Sequence, residues 1–95
     1  MMSLEQVVDL LKRIRDQQPD MKDCEIRFSR AYVNSEIEPQ PEGVEEILDD
    51  VFERLQYFVV DPVARKESSL YLSPDEMTEI IDEAFQKLRE YGVDI

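Results

Sequence analysis

Apolar residues recur at intervals of three and four near the start of the chain, which is the period of a helix with one buried face. The stripe consists of Leu4, Val7, Val8, Leu11 and Ile14. Ser3 can cap this helix, and Gln6 can complete a capping box. Pro19 lies just beyond its end. The pattern predicts a helix over residues 4–16.

A second stripe predicts a helix from about Glu42 to Val59. It consists of Val44, Leu48, Val51, Leu55 and Phe58, with Ile47 and Phe52 beside it. Pro62 is the expected stop, because proline cannot continue a helix. The chain should then form a connector to Leu72, with one turn at residues 63–66. Asp61 is expected to cap this turn and Arg65 to fold back onto a carboxylate.

The last helix is expected to begin at Ser73, with Pro74 at its first position and Glu76 closing a capping box. Gly92 is the expected C-terminal cap. The buried stripe should comprise Met77, Ile80, Ile81, Ala84, Leu88 and Tyr91, with Phe85 beside it. We expect Tyr57, Phe58 and Tyr71 to be core or core-edge residues.

Residues 20–33 fit both a helical period and strand alternation, and Ala31 with the many charges favours a helix. Short connections between amphipathic helices predict an all-α fold, a small antiparallel bundle of three to four helices forming a single domain over residues 1–95. In the alternative, an α+β fold, residues 24–33 form a strand that pairs with residues 69–72.

Composition excludes much chemistry. The chain has no His, one cysteine and two glycines. These counts exclude a histidine relay, an intrachain disulfide, a Cys-rich metal cluster and a phosphate-cradling loop. Cys24 lies on an apolar stripe, which indicates a buried thiol rather than a nucleophile. We therefore expect no enzyme activity, no cofactor and no metal. Without a visible signal peptide or membrane span, a cytoplasmic location is expected.

Charge is both large and uneven. Lys and Arg number 11 against 23 for Asp and Glu, a net charge of -12. Residues 1–33 have no net charge, so the whole excess of negative charge lies in residues 34–95. Two stretches without a base, residues 36–53 and 75–83, hold eight and five carboxylates. Such a chain is a poor ligand for nucleic acid or an anionic membrane, because both require Lys and Arg.

The acidic helix faces are the main candidate for function. The candidate partner-binding residues are Glu45, Glu46, Asp49, Asp50, Glu53, Asp75, Glu76, Glu79, Asp82 and Glu83. Like charges at helical spacing repel one another, which costs stability. A binding surface for a basic partner would explain why these charges are grouped. An acidic face that only meets solvent is the alternative reading.

Two other functions fit a small non-catalytic protein. One is an intracellular adaptor or assembly subunit whose apolar interface, through Phe58, Val59 and Val60, makes a homodimer. The other is a DNA-mimic regulator of a DNA-binding protein. The sequence leaves open whether the protein is a monomer or a weak homodimer.

The stretch from Ile47 to Leu88 resembles the bacterial colicin-like immunity proteins, the helical group with colicin D-type and contact-dependent-inhibition members. The resemblance covers about 40 residues, over three motifs and the core positions of the last helix. The motifs are Asp49-Asp50-Val51-Phe52 with Leu55 and Phe58, then Asp61-Pro62-Val63-Ala64-Arg65, then Ser73-Pro74-Asp75-Glu76-Met77. The core positions are Ile81, Ala84 and Leu88. Residues 21–33, with Glu25, Phe28 and Tyr32, are similar to the family's second helix. Gln56 and Val60 depart from its pattern, as does the connector at residues 66–69.

The resemblance implies a helical bundle that binds the nuclease domain of a cognate toxin and blocks its active site. Colicin D-type members present acids where a tRNA backbone would lie. The expected partner is therefore a basic toxin nuclease domain, such as a tRNase. The charge of the chain points independently towards a basic partner.

Overall fold

The computed structural model describes residues 1–59 and 61–95. Five helices lie in these ranges: α1 Leu4–Arg15, α2 Met21–Val33, α3 Glu42–Leu55, α4 Pro62–Arg65 and α5 Pro74–Glu90. Strand pairing in the described residues is confined to two isolated bridges. The prediction of a small all-α bundle is confirmed.

Four helices pack in a ring, because α1 contacts α2 and α5 while α3 contacts the same two helices. The start of α1 lies beside the exit of α2, where the Met2 N–H donates to the Glu36 carbonyl at 2.6 Å. The end of α1 lies beside the first turns of α5, where the Thr78 hydroxyl donates to the Arg15 carbonyl at 2.6 Å. Helix α1 is therefore antiparallel to both of its neighbours. Gly43, in the first turn of α3, lies against Tyr91 at the end of α5, so these two helices are antiparallel as well.

The capping signals act where the sequence places them. The Gln6 N–H donates to the Ser3 hydroxyl at 3.2 Å, and the Ser3 N–H donates to the Gln6 side chain at 2.8 Å. Ser73 and Glu76 form the same reciprocal pair at the start of α5. Gly92, with φ 85°, takes the left-handed conformation that follows the last helical turn. Both capping boxes and the glycine stop are confirmed.

One hydrophobic core fills the centre of the ring. Every helix except α4 contributes to it, and the largest fully buried side chains include Phe28, Phe85, Leu11, Ile14 and Leu55. Cys24 is 0 % exposed, which confirms the prediction of a buried thiol.

Residues 21–33 form a helix, so the α+β alternative is wrong. Phe28 and Ala31 lie on the buried side of α2, and its charged residues lie mostly outside, as an amphipathic helix requires. The end of the connector does pair, but Leu72 forms a parallel bridge with Phe58 rather than with residues 24–33.

Helix α3 ends at Leu55, so the prediction that it reaches Val59 is wrong. The chain turns at Gln56 and Tyr57, and the turn delivers Phe58 into the core while leaving Tyr57 46 % exposed. The core-edge assignment of Tyr57 is therefore also wrong. A longer helix would also have buried Phe58. The apolar spacing therefore could not distinguish the turn at residues 56–57 from a continued helix.

The short helix α4 confirms the predicted turn in the connector. The Asp61 side chain caps it by accepting a hydrogen bond from the Val63 N–H at 3.0 Å. The Arg65 guanidinium folds back and donates to the Val59 carbonyl at 3.3 Å, a main-chain acceptor. Val60, one of the predicted interface residues, lies outside the described residues.

Candidate functional site

The acids of the sequence-predicted site lie at several different places on the surface. One group of them lines a groove between α3 and α5. Glu46 and Asp50 lie on the α3 side of this groove, and Glu83 lies on the α5 side. Its volume is about 510 Å³, and it is open to solvent. Partly buried Ile47 and Ile80 also line it. We call this feature the α3–α5 groove.

The α3–α5 groove owes its two acidic sides to helix periodicity. Glu46 and Asp50 are four residues apart and therefore share one side of α3, next to the buried stripe. Glu83 and Glu90 are seven residues apart and share one side of α5. Because the two helices are neighbours, their acidic sides border the same depression.

The other acids of α3 point elsewhere. Glu45 accepts a hydrogen bond from the Gln40 N–H at 3.3 Å. Together with Asp49 it borders a different recess, on the side of Tyr32 in α2. Glu53 is exposed and borders neither recess. The acids of α3 therefore fan out around the helix instead of forming one face.

Three of the acids of α5 have structural partners. Asp75 accepts a hydrogen bond from the Gln17 side chain at 2.7 Å. Asp82 lies 3.7 Å from the Arg15 guanidinium. Glu76 belongs to the capping box, where it accepts from the Ser73 N–H at 3.0 Å. Asp75 and Asp82 thus contact residues at the end of α1, Glu76 caps α5 itself, and Glu79 is exposed.

The side chains of five of the ten candidate acids make no hydrogen bond or ion pair with any described residue, and all five residues are exposed. They are Glu46, Asp49, Glu53, Glu79 and Glu83. Asp50 differs from them, because Arg54 lies 3.2 Å from its carboxylate. An exposed i,i+4 pair of this kind contributes only a few tenths of a kcal/mol, so a competing cation can replace Arg54 at little cost.

Two groove residues were missed by the sequence analysis or placed wrongly. Glu90 borders the α3–α5 groove but lies outside the acidic stretch at residues 75–83. Tyr91 was expected in the buried stripe, and it is 60 % exposed. The helix ends at Glu90, so the Tyr91 ring leaves the stripe and lies over Gly43, which has no side chain to block it. The helical spacing of Tyr91 carried no sign of this.

The Cys24 thiol is buried and has charged neighbours. Burial raises the pKa of the Cys24 thiol, and the nearby Asp20 carboxylate raises it further. A hydrogen bond from Arg13, at 3.0 Å, lowers the pKa of Asp20. A buried thiol with a raised pKa is a poor nucleophile, because the thiolate is the reactive form.

The described residues contain neither a metal-binding cluster nor a membrane-spanning helix. No group of three or more Asp, Glu or Cys side chains in residues 1–59 and 61–95 is arranged to hold a metal ion. No helix in the same ranges has both the length and the apolar character needed to cross a bilayer.

Comparison with known proteins gave no match: no family model, curated protein or solved structure matches the chain.

Proposed function

We propose that this protein is an immunity-type inhibitor, which binds the basic nuclease domain of a toxin and blocks it without catalysing a reaction. The observation that supports this most directly is the separation of charge between adjacent helix pairs. Helices α1 and α2 belong to the neutral part of the chain, whereas α3 and α5 carry most of the excess acid and pack side by side.

Unpaired acids support the proposal because they cost stability in the free protein. Carboxylates three or four residues apart on one helix repel one another by a few tenths of a kcal/mol per pair. Glu46 and Asp49, and likewise Glu79 and Glu83, have this spacing and form no ion pair with a described residue, although Lys87 lies one turn after Glu83. A basic partner would remove this repulsion on binding.

The same charges suit the active site of a nuclease. An enzyme that cleaves RNA or DNA binds phosphates with Lys and Arg, and carboxylates held on a rigid helix pair can occupy that surface in place of the phosphates. Long-range attraction also speeds the encounter, which matters for an inhibitor that must act before the toxin does. In this proposal the protein works in the cytoplasm as a one-to-one complex.

The proposal can be tested with tagged protein in the native host. The protein should capture a basic nuclease domain at low salt and release it at high salt, because the attraction is electrostatic. The captured domain, when purified, should lose its RNA cleavage activity at one equivalent of this protein. Capture of a domain without nuclease activity, or of a nuclease that stays active at excess inhibitor, would contradict the proposal.

Charge reversal separates a specific surface from net charge alone. Asp49→Lys and Asp50→Lys should each slow association by about tenfold and flatten its salt dependence. Glu5 is exposed and lies in α1, which belongs to the part of the chain without net charge. Glu5→Lys makes the same change in net charge and is therefore the matched control. Equal losses in all three variants would show that only net charge matters.

The other two functions are weaker. An assembly interface through Phe58, Val59 and Val60 loses its one aromatic residue, because the Phe58 side chain is 3 % exposed and belongs to the core. A DNA-mimic regulator remains an outcome of the capture experiment: duplex DNA, rather than RNA, would then compete with this protein for the captured partner.

A further inference from the structure

We infer that the α3–α5 groove is the docking site for a single amphipathic, arginine-bearing helix of the basic partner, and that Tyr91 is the main contact for one arginine. This inference rests on the proposed function only in taking the partner to be basic. It narrows the contact surface from two helices to one groove, and it includes Glu90 and Tyr91, which the acid pattern did not indicate.

The composition of the groove fits such a helix. Its apolar lining is provided by Ile47, Ile80 and Ala84, and carboxylates stand on both sides. An apolar stripe on the partner would cover the lining, and cations beside that stripe would meet the carboxylates. Helix α3 has 14 residues, so a partner helix of similar length would extend about 21 Å along the groove.

Tyr91 gives one end of the groove a distinct contact. The end of its ring lies against Gly43 and the residue remains 60 % exposed, so part of the ring is available to a ligand. Glu90 borders the same groove. An aromatic ring with a nearby carboxylate binds guanidinium well, because the ring face attracts the cation and the carboxylate pairs with it.

Two cations also border the groove, and they indicate how its affinity is limited. Arg54 is paired with Asp50 at the opposite end from Tyr91. Lys87 lies between Glu83 and Glu90 along α5 and has no ion pair among the described residues. A basic ligand must tolerate Lys87, so removing this charge should tighten binding.

A larger depression of the described surface fits this ligand less well. It runs along α1 and the last residues of the chain, and its volume is about 1260 Å³. Lys12 and Arg27 line it together with Glu5, Asp9 and Asp94, so it has one carboxylate in excess, against two in the α3–α5 groove. No aromatic ring lines it to receive a guanidinium group.

The experiment uses a defined probe, so that it does not depend on finding the toxin. The probe is a synthetic helical peptide of about 14 residues, with leucines in one stripe and arginines on both flanks. Its control has glutamine in place of every arginine. Titration of the ¹⁵N-labelled protein, followed by amide chemical shifts, gives both the affinity and the location of binding.

Four variants make the test specific. Tyr91→Ala should weaken binding of the arginine peptide by about tenfold, as expected for an aromatic hot spot. Gly43→Ala places a Cβ where the Tyr91 ring now lies, so the ring must move and binding should weaken by several fold. Alanine favours a helix more than glycine does, so this variant should remain folded. Lys87→Gln should tighten binding by about twofold to threefold, and Glu79→Gln, outside the groove, should change it by less than twofold.

The possible results are distinct. Saturable shifts at groove amides, with these variant effects, would support the inference. No saturable binding, equal binding of the glutamine peptide, or shifts spread over Glu53 and Glu79 would overturn it. The toxin experiment is separate: a peptide that binds in the groove while no nuclease is captured would leave the docking site standing and remove the proposed function.

Discussion

The Thr78 hydroxyl, one turn into α5, donates a hydrogen bond of 2.6 Å to the Arg15 carbonyl in the last turn of α1. Helix ends leave carbonyls without a partner in their own helix, and here the neighbouring helix supplies a donor. The Gln17 side chain donates to Asp75 beside this bond, and the Arg15 guanidinium lies 5.3 Å from the centre of the Phe85 ring. These contacts fix the end of α1 against the beginning of α5.

Thr78→Val should destabilise the protein by about 1 kcal/mol, because it leaves the part-buried Arg15 carbonyl without its donor. Valine keeps the size of threonine, so the change tests the hydrogen bond more than the packing. The measurement is the free energy of unfolding in urea. Thr78→Ser is the control, since it keeps the hydroxyl and should retain most of the stability. Unchanged stability in Thr78→Val would contradict a contribution from this hydrogen bond.

The stack between Tyr32 and Phe52 should make a measurable contribution to the contact between α2 and α3. The ring centres are 4.4 Å apart, and the planes are inclined by 18°. A double-mutant cycle with Tyr32→Leu and Phe52→Leu should give a coupling energy of about 0.5–1.5 kcal/mol. Tyr32→Phe keeps the ring and should retain the coupling. Additive losses in the cycle would show that the two rings contribute only buried area.

Ser35→Gly should raise the free energy of unfolding by about 0.5 kcal/mol, because relief of backbone strain exceeds the extra chain entropy of glycine. Ser35 has φ 55°, in the left-handed region that side chains disfavour. The neighbour Asn34 has φ -86°, so Asn34→Gly gains no relief and should be destabilising. Urea unfolding of both variants measures the difference. Destabilisation of both variants would argue against strain at Ser35.

The ion pair of Arg13 and Asp20 should make stability fall in acid. The Arg13 guanidinium lowers the pKa of Asp20 in the folded protein. The folded protein therefore binds a proton at Asp20 less readily than the unfolded chain does. The contribution is therefore present above the unfolded pKa, about 3.9, and is lost as the pH falls through the lower folded value. The difference in urea midpoint between wild type and Asp20→Asn should shrink below about pH 4. Arg13→Gln should remove the same pH dependence, and a constant difference down to low pH would contradict the assignment.

Cys24 should react with a thiol reagent at least about a hundredfold more slowly in the folded protein than in urea, because reaction requires the core to open. Ellman's reagent and absorbance measure both rates. A Cys24→Ala, Glu5→Cys variant supplies an exposed thiol on α1 as the control and should react rapidly when folded. Fast reaction of wild-type Cys24 would show that α2 opens without global unfolding.

Much of the fold could be predicted because local signals agreed with the apolar period. Ser3 with Gln6, and Ser73 with Glu76, mark the starts of α1 and α5 in the sequence itself. The end of α3 could not be predicted in this way. Phe58 continues the spacing of Val51 and Leu55, but it is buried by a turn and by pairing with Leu72, 14 positions later. Periodicity along one segment contains no information about such a pairing.

The candidate site was predictable as a set of acids and not as a surface. Which acids meet depends on the packing of α3 against α5, and this brings Glu46 and Glu83 to one groove while turning Asp49 away from it. Glu76 could have been set aside from sequence, because the capping box that uses its carboxylate was already evident. The position of Tyr91 depends on the absence of a side chain at Gly43, a contact between residues 48 positions apart.

The separation of charge between the two helix pairs gives the molecule a permanent electric dipole. In the electric field of a positively charged partner such a molecule experiences a torque, and it rotates until α3 and α5 face that partner. Fewer of its collisions with the partner would then occur through α1 and α2. The same torque would act near any positively charged surface, so the protein should adsorb to an anion-exchange matrix in one preferred orientation, with α1 and α2 facing the solution.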